Sequence, residues 1–433
     1  MLCLNSLKHK REVEQLRAIY NRSFLAISVY STQTMRINAL CQAISRDRRL
    51  PLNSKEVDQR ALSLVERDQN EPDNELGQNV RDAFYQADAF VESGSDQRWQ
   101  LERFIRLLFG DPTITPTLEE HAMFHARAAS LRSADLSRQV GASIVTTDGQ
   151  VICVGCNEVP RAGGGHFWPH LHESSEDDRD FRLGRDPNAR MIRQMLIEVV
   201  QTLKKRKWLN RAIMTATDIP SLVERLFSSN AAVSLKELRA GNLIEFGRIV
   251  HAEMSAIVDA ARRGVAVQGA TLVCTTFPCH MCARHIIGSG IGKVVYIEPY
   301  PKSLTAELYP ESVSIEATDL ERDPPNARRV VFSSFIGVSP NRFPELFSYR
   351  KGKDSEGFAI KWKPSASAKP RVFEPELTIS ELEAITIGRL TVLERRSAKR
   401  VPTRSTTRKK RSTSRKLTSA TRKQTRSAAA TRR

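Results

Sequence analysis

His251-Ala252-Glu253 and, further along the chain, Pro278-Cys279-His280-Met281-Cys282 bring one imidazole, two thiols and a carboxylate into a pattern that could do chemistry. One imidazole and two thiolates make three protein ligands for Zn²⁺, and the fourth tetrahedral position stays open for a water that the metal acidifies. Glu253 follows the histidine by two positions and is not a ligand in this scheme. It is placed to take the water's proton and pass it to a ring nitrogen and a departing ammonia, as in the H-x-E…P-C-x-x-C arrangement of zinc-dependent base deamination. A lone C-x-x-C can also be half of a structural zinc site or a redox pair, and a His beside a Glu can be a surface helix pair. The carboxylate favours the catalytic reading, because a structural site gains nothing from Glu253 beside its ligand.

The surrounding pattern places both ligand sets at helix starts. Residues 251–264 read as a helix with Met254, Ile257, Val258 and Ala261 on one face and Gly264 just past its end. Residues 270–274 form a short apolar run expected to be a strand, and a second helix is expected over 279–287, after Pro278. The partial positive charge of a helix start favours thiolate over thiol, which suits Cys279 and Cys282 to metal binding.

Upstream, the pattern predicts a helix over 118–140, then strands at 141–145 and 151–154 joined by the Asp148-Gly149 turn. Gly155-Cys156-Asn157-Glu158-Val159-Pro160 follows where a strand leaves its sheet, and residues 293–297 supply a further strand. The order α-β-β-α-β-α-β predicts a three-layer α/β/α domain around a mixed sheet. Residues 161–250 interrupt it. This insert opens on Gly163-Gly164-Gly165, either an approach for a phosphate or a hinge, and continues into helices within 190–242. His166, His170 and His172, with Glu173, Glu176, Asp177 and Asp178, could form a second zinc site, but the absence of a cysteine there favours a solvated polar loop.

The net charge of +18 looks like a nucleic-acid signal until it is located. Residues 395–433 hold sixteen of the 67 Lys and Arg and none of the 49 Asp and Glu, so the rest of the chain is close to neutral. With no aromatic residue that tail is expected to be disordered, and it could contact nucleic acid non-specifically or simply be solvated. The seven cysteines lack disulfide-like spacing, and there is no signal peptide or membrane-spanning apolar run, so a cytoplasmic setting without membrane contact is expected. The expected organisation is an N-terminal domain over 1–112, a domain over 113–350, a linker and helix over 351–394, and the tail.

RQVGA, the strand ending GCNEVP, HAEMSAI, TTFPCHMC and VVYIEPYPKS, in that order, resemble the deoxycytidylate deaminase family of the zinc cytidine/deoxycytidylate deaminases. More narrowly, they resemble the bacterial phage-defence members that join a nucleotide-kinase-like domain to a C-terminal deaminase domain. The resemblance implies that His251, Cys279 and Cys282 bind zinc, that Glu253 shuttles the proton, that Asn157 contacts the sugar, and that the backbone around Ala252 and Phe277 holds the pyrimidine edge. For Asn157 a strand-capping role is the alternative. The implied substrate is a deoxycytidine mono- or triphosphate, converted to the deoxyuridine nucleotide and ammonia, and the implied assembly is a homo-oligomer. Residues 5–40 and 79–90 fit an α/β nucleotide-kinase pattern, yet no G-x-x-x-x-G-K-[ST] phosphate loop occurs, so this domain is expected to be truncated and without kinase-type nucleotide binding. Two other readings keep part of the pattern: a deaminase acting on a base within RNA or DNA, favoured by the tail, and a non-catalytic zinc module that binds nucleic acid.

Overall fold

The strand Ala89–Glu92 opens on three consecutive buried apolar residues, Ala89, Phe90 and Val91, and helices flank it in sequence. In the computed structural model, which describes residues 3–69, 77–94, 96–168, 177–210, 218–227, 238–300, 302–315, 329–349, 351–363, 370–371 and 379–398, the first elements are α1 (Lys10–Tyr20), β1 (Ile27–Tyr30), α2 (Gln33–Arg48), α3 (Lys55–Gln69), α4 (Val80–Phe84), β2 (Ala89–Glu92) and α5 (Gln97–Leu108). The strands β1 and β2 pair in parallel. These N-terminal elements and the motif-bearing region share one compact unit, Met1–Glu376, while Leu377–Arg433 form a second unit that holds the helix Ile379–Ala398.

The helix α6 (Leu118–Ser130) opens the second part. It starts with a capping box in which the Thr117 side chain accepts from the Glu120 N–H and Glu120 reaches back to the Thr117 N–H. The helix expected over 118–140 ends at Ser130. Beyond it Ser133 and Asp135 accept hydrogen bonds from the backbone N–H groups of Asp135 and Ser137, local bonds that replace the helical ladder.

Strands β3 (Gly141–Val145) and β4 (Val151–Cys156) form the expected hairpin. After the helices α7 (Asp180–Leu183), α8 (Pro187–Lys205) and α9 (Ile219–Phe227) of the insert come α10 (Ala252–Arg262), β5 (Thr271–Thr276), α11 (His280–Gly288), β6 (Lys293–Glu298), the short helix α12 (Thr305–Leu308), β7 (Val313–Ile315), β8 (Val330–Ser334), β9 (Gly337–Val338) and the short helix α13 (Phe343–Phe347). The sheet order is β4-β3-β5-β6-β8-β7, antiparallel at the β4 end and parallel from β5 onward. The fold is a mixed α/β one.

Strand alternation divides the core between two faces. Leu272, Cys274, Val294 and Phe332 pack with Ala252, Ala256 and Ile286 of α10 and α11, while Val273 and Val295 pack with Ala122, Met123 and Ala126 of α6. Burying each such aliphatic side chain contributes about 1.5–3 kcal/mol, so this alternation fixes which face carries the two motif helices.

The second part is tied to the first by a short antiparallel pairing of β9 with β2 and by two buried acids. Glu120 is fully buried and accepts from both guanidinium ends of Arg103, at 2.8 and 2.7 Å, and from the Val338 N–H at 2.8 Å. Asp88 accepts from Arg17, Arg342 and the Ala26 N–H. Glu120→Gln removes the charge that the Arg103 fork and the Val338 N–H converge on, and should cost about 2 kcal/mol of unfolding free energy. Urea unfolding of the two proteins measures it, and equal midpoints with equal slopes would show that the pairing contributes nothing.

Candidate functional site

The first residue of the helix–strand–helix segment is set by backbone pairing. Val250 and Glu158 exchange two hydrogen bonds, at 3.1 and 3.0 Å, so the residue before the histidine is stitched to the chain just past β4. His251 then caps α10 in an extended conformation, with Ala252 fully buried behind it. The first turn of α10 lies directly on β4. A Cβ on Gly155 would stand 2.2 Å from the Ala252 carbonyl oxygen and 2.5 Å from the Ala256 nitrogen, a contact that only glycine allows.

Cys279 is the corresponding cap of α11, and Cys282 lies in its first turn. The Pro278 carbonyl ahead of them accepts from the Ser303 hydroxyl at 2.8 Å and the Thr305 hydroxyl at 3.4 Å, which anchors this helix start from the segment after β6. The Phe277 N–H donates to the Glu298 carbonyl at 2.7 Å, and its ring meets Tyr296 edge-on at 4.8 Å and Phe332 at 5.3 Å.

These two helix starts bring the three expected ligands together. The Nδ1 of His251 lies 3.3 Å from the Cys279 sulfur and 3.4 Å from the Cys282 sulfur. Among the described residues His251, Cys279 and Cys282 form a group whose ligand atoms all lie within 4.8 Å of one another. Tetrahedral Zn²⁺ with ordinary Zn–S and Zn–N bonds separates a sulfur and a nitrogen ligand by about 3.6 Å, so the donor set and its spacing both fit zinc. The Cys279 thiol is drawn down to about 4, first by the hydrogen bond from Cys282 and then by His251, and the imidazole is raised to about 9 by its bond with Cys279. Cys282, the donor to Cys279, is pushed up instead. An anionic sulfur is thus already favoured where a cation would bind.

Glu253 is buried one residue into α10, and its Oε2 lies 3.6 Å from the Cys282 sulfur. Burial pushes its carboxyl group up from the ordinary range, so it can hold a proton as well as release one.

Asn157 sits at the end of β4 and is also buried. Its Oδ1 accepts from the Val140 N–H at 2.7 Å, and its Nδ2 donates to the Asp135 carboxylate at 2.7 Å and the Arg138 carbonyl at 2.8 Å. These bonds cap the strand and hold residues 135–140 against it, leaving one Oδ1 lone pair.

Two groups at this end of the sheet carry no spacing signal. Glu158 is a buried acid that accepts from the Ala134 and Val159 N–H groups at 3.0 Å each and faces Arg179 of the insert at 3.7 Å. Arg138 pairs with Glu298 at 3.1 Å and lies over the Tyr300 ring at 5.4 Å from its centroid. Apart from the local bond to Val159, each contact joins residues far apart in sequence, and only the fold makes them neighbours.

The three glycines Gly163, Gly164 and Gly165 all take positive φ, at 85, 83 and 75°, and Gly164 lies against Arg262 at the far end of α10. Within the candidate second zinc group, burial lowers the His166 imidazole to about 4 and Asp177 pairs with Arg179, whereas His170, His172, Glu173 and Glu176 fall outside the described residues, as does the basic tail beyond Ala398.

Residues 116–298 match the family model for the cytidine and deoxycytidylate deaminase zinc-binding region. The match contains all four motif residues. Among curated proteins, the deoxycytidylate deaminase of Enterobacteria phage T2 is 50% identical over 54 residues, covering 12% of this chain and 29% of that protein. ComE operon protein 2 of Bacillus subtilis (strain 168) is 36% identical over 76 residues, covering 18% and 40%. The chain therefore spans less than half the length of these curated relatives. Among solved structures, the dCMP deaminase of cyanophage S-TIM5 in its apo form is 16% identical, covers 51% of this chain and 99% of that one, and has a TM-score of 0.25. No helix among the described residues is long and apolar enough to cross a membrane.

Proposed function

We propose that this protein is a zinc-dependent hydrolase that deaminates a deoxycytidine nucleotide, dCMP or dCTP, to the deoxyuridine nucleotide and ammonia. The observation that carries this reading is the convergence of His251 Nδ1 on the Cys279 and Cys282 sulfurs with the buried Glu253 carboxylate alongside. Zinc held by these three residues supplies a Lewis acid that brings a water toward deprotonation at neutral pH. Glu253 takes one proton of the attacking water to the pyrimidine ring nitrogen and then the second, from the oxygen now on C4, to the departing amine, so that the C4–O bond forms, the C4–N bond breaks and ammonia leaves. The backbone around Ala252 and Phe277 holds the pyrimidine edge, and Asn157 meets the sugar through its remaining Oδ1 lone pair.

The free-nucleotide reading is supported by the matched phage relatives, named deoxycytidylate deaminases, and by the near-neutral charge outside the tail. The finer parts of the proposal rest on the motif resemblance: a nucleotide-kinase-like N-terminal domain, a homo-oligomer in the cytoplasm, and phage defence through depletion of the deoxycytidine nucleotide pool. Ammonia release and product mass, with dCMP, dCTP, cytidine and single-stranded DNA offered separately to the zinc-loaded protein, test the substrate assignment. Conversion of a deoxycytidine nucleotide alone supports it. Activity on the DNA alone replaces it with a polynucleotide deaminase that uses the basic tail.

Removing the metal should abolish turnover and lower stability. A ligand present at about 1,000 times its Kd adds about 4 kcal/mol, so chelation should produce a drop of several degrees in the melting temperature that added zinc reverses. An unchanged melting temperature and activity after verified zinc removal would contradict the site.

A further inference from the structure

A second pair of metal-type ligands lies on α6, away from the site described above. His121 and His125 are one helical turn apart, where side chains on the same face meet. Their Nε2 atoms are 3.2 Å apart, and the rings stand nearly perpendicular, at 81°, with centroids 4.5 Å apart. Behind them Phe124 stacks on Phe343 at 4.5 Å, and the Phe343 ring also lies 6.5 Å from His121. The opposite face of the helix, Ala122, Met123 and Ala126, is locked into the core, which holds the backbone under the two imidazoles rigid.

Two imidazole nitrogens at this separation share either one proton or one cation. With metal–nitrogen bonds of about 2.0–2.1 Å, two nitrogens on one ion lie about 3.4 Å apart in tetrahedral and about 2.9 Å apart in octahedral geometry, and the observed spacing falls between these values. Both Nε2 lone pairs would then point at the ion, and both Nδ1 atoms would carry the hydrogens. His125 is held in the neutral form this requires, its pKa lowered by burial and by His121. We propose that His121 and His125 together bind a divalent transition-metal ion of the zinc class, with water completing its shell, as a site separate from His251, Cys279 and Cys282. Imidazole pairs select Zn²⁺, Ni²⁺ and Cu²⁺ over Mg²⁺ and Ca²⁺, which prefer oxygen ligands.

The test is equilibrium dialysis of the full chain, already holding one zinc per molecule, against Zn²⁺, with bound metal counted for the unaltered protein, His121→Ala and His125→Ala. His121 is exposed, so its replacement leaves the core intact. The proposal predicts that the unaltered protein takes up one more zinc than either variant, or binds it at least about tenfold more tightly, with Mg²⁺ failing to compete. Equal uptake by all three proteins overturns it, and so does a loss confined to one of the two variants, because a shared ion needs both rings. Metal bound by His166, His170 or His172 would be common to all three proteins and cancels in the comparison.

Discussion

Glu253→Gln should lower kcat by about 10²–10⁴-fold while leaving one zinc per chain, because the amide keeps the shape of the side chain and loses its ability to carry a proton. The residue is buried, lies 3.6 Å from the Cys282 sulfur, and is not itself one of the three converging groups. Its removal therefore separates the two proposed roles, metal binding by His251, Cys279 and Cys282 and proton transfer by Glu253. Steady-state turnover and metal content, measured on the same preparation, check this. Turnover equal to that of the unaltered protein would remove Glu253 from the chemistry, and loss of zinc would show that its role is structural.

Gly155→Ala should be nearly as damaging, although the atoms nearest to the added Cβ belong to Ala252, Ala256 and Ser255. An added Cβ would fall 2.2 Å from the Ala252 carbonyl oxygen and 2.5 Å from the Ala256 nitrogen, both backbone atoms that cannot rotate away. Either α10 lifts off β4 or the strand bends, and overpacking of this kind costs about 1–3 kcal/mol or more. The first turn of α10 carries Ala252 and Glu253 directly after His251, so the displacement reaches the site itself. A shift of about 1 Å is enough to cost about 10²-fold in rate. The expected result is a lower melting temperature together with a loss of activity of that order, read by thermal unfolding and kcat/KM. A variant that keeps both would show that the strand and helix are not held as closely as described.

The placement of the candidate residues was legible where the geometry is local. His251 and Glu253 start one helix, Cys279 and Cys282 start another, and helix starts and short apolar strands leave marks within a few residues. The hairpin with its Asp148-Gly149 turn was legible for the same reason. The helix expected to run to residue 140 was too long, because the side chains of Ser133 and Asp135 capture backbone N–H groups in a stretch whose apolar spacing still looked helical. The contacts that hold the site from outside were not legible. The Glu158–Val250 ladder, the Arg138–Glu298 pair and the Ser303 bond to Pro278 each join residues brought together by sheet order and by the insert, and no spacing along the chain announces them. Glu120 likewise reads as a capping-box acid, and its second role as the buried partner of Arg103 and Val338 emerges only from the packing of α6 against the N-terminal region.

The most direct test of the central claim is to incubate the zinc-loaded protein with dCMP or dCTP in heavy-oxygen water and to follow ammonia and product mass together. The account predicts one ammonia released for each deoxyuridine nucleotide formed, with one solvent oxygen incorporated into the base, and no conversion by Glu253→Gln on the same timescale. Absence of ammonia from both nucleotides with zinc bound at His251, Cys279 and Cys282 would contradict it.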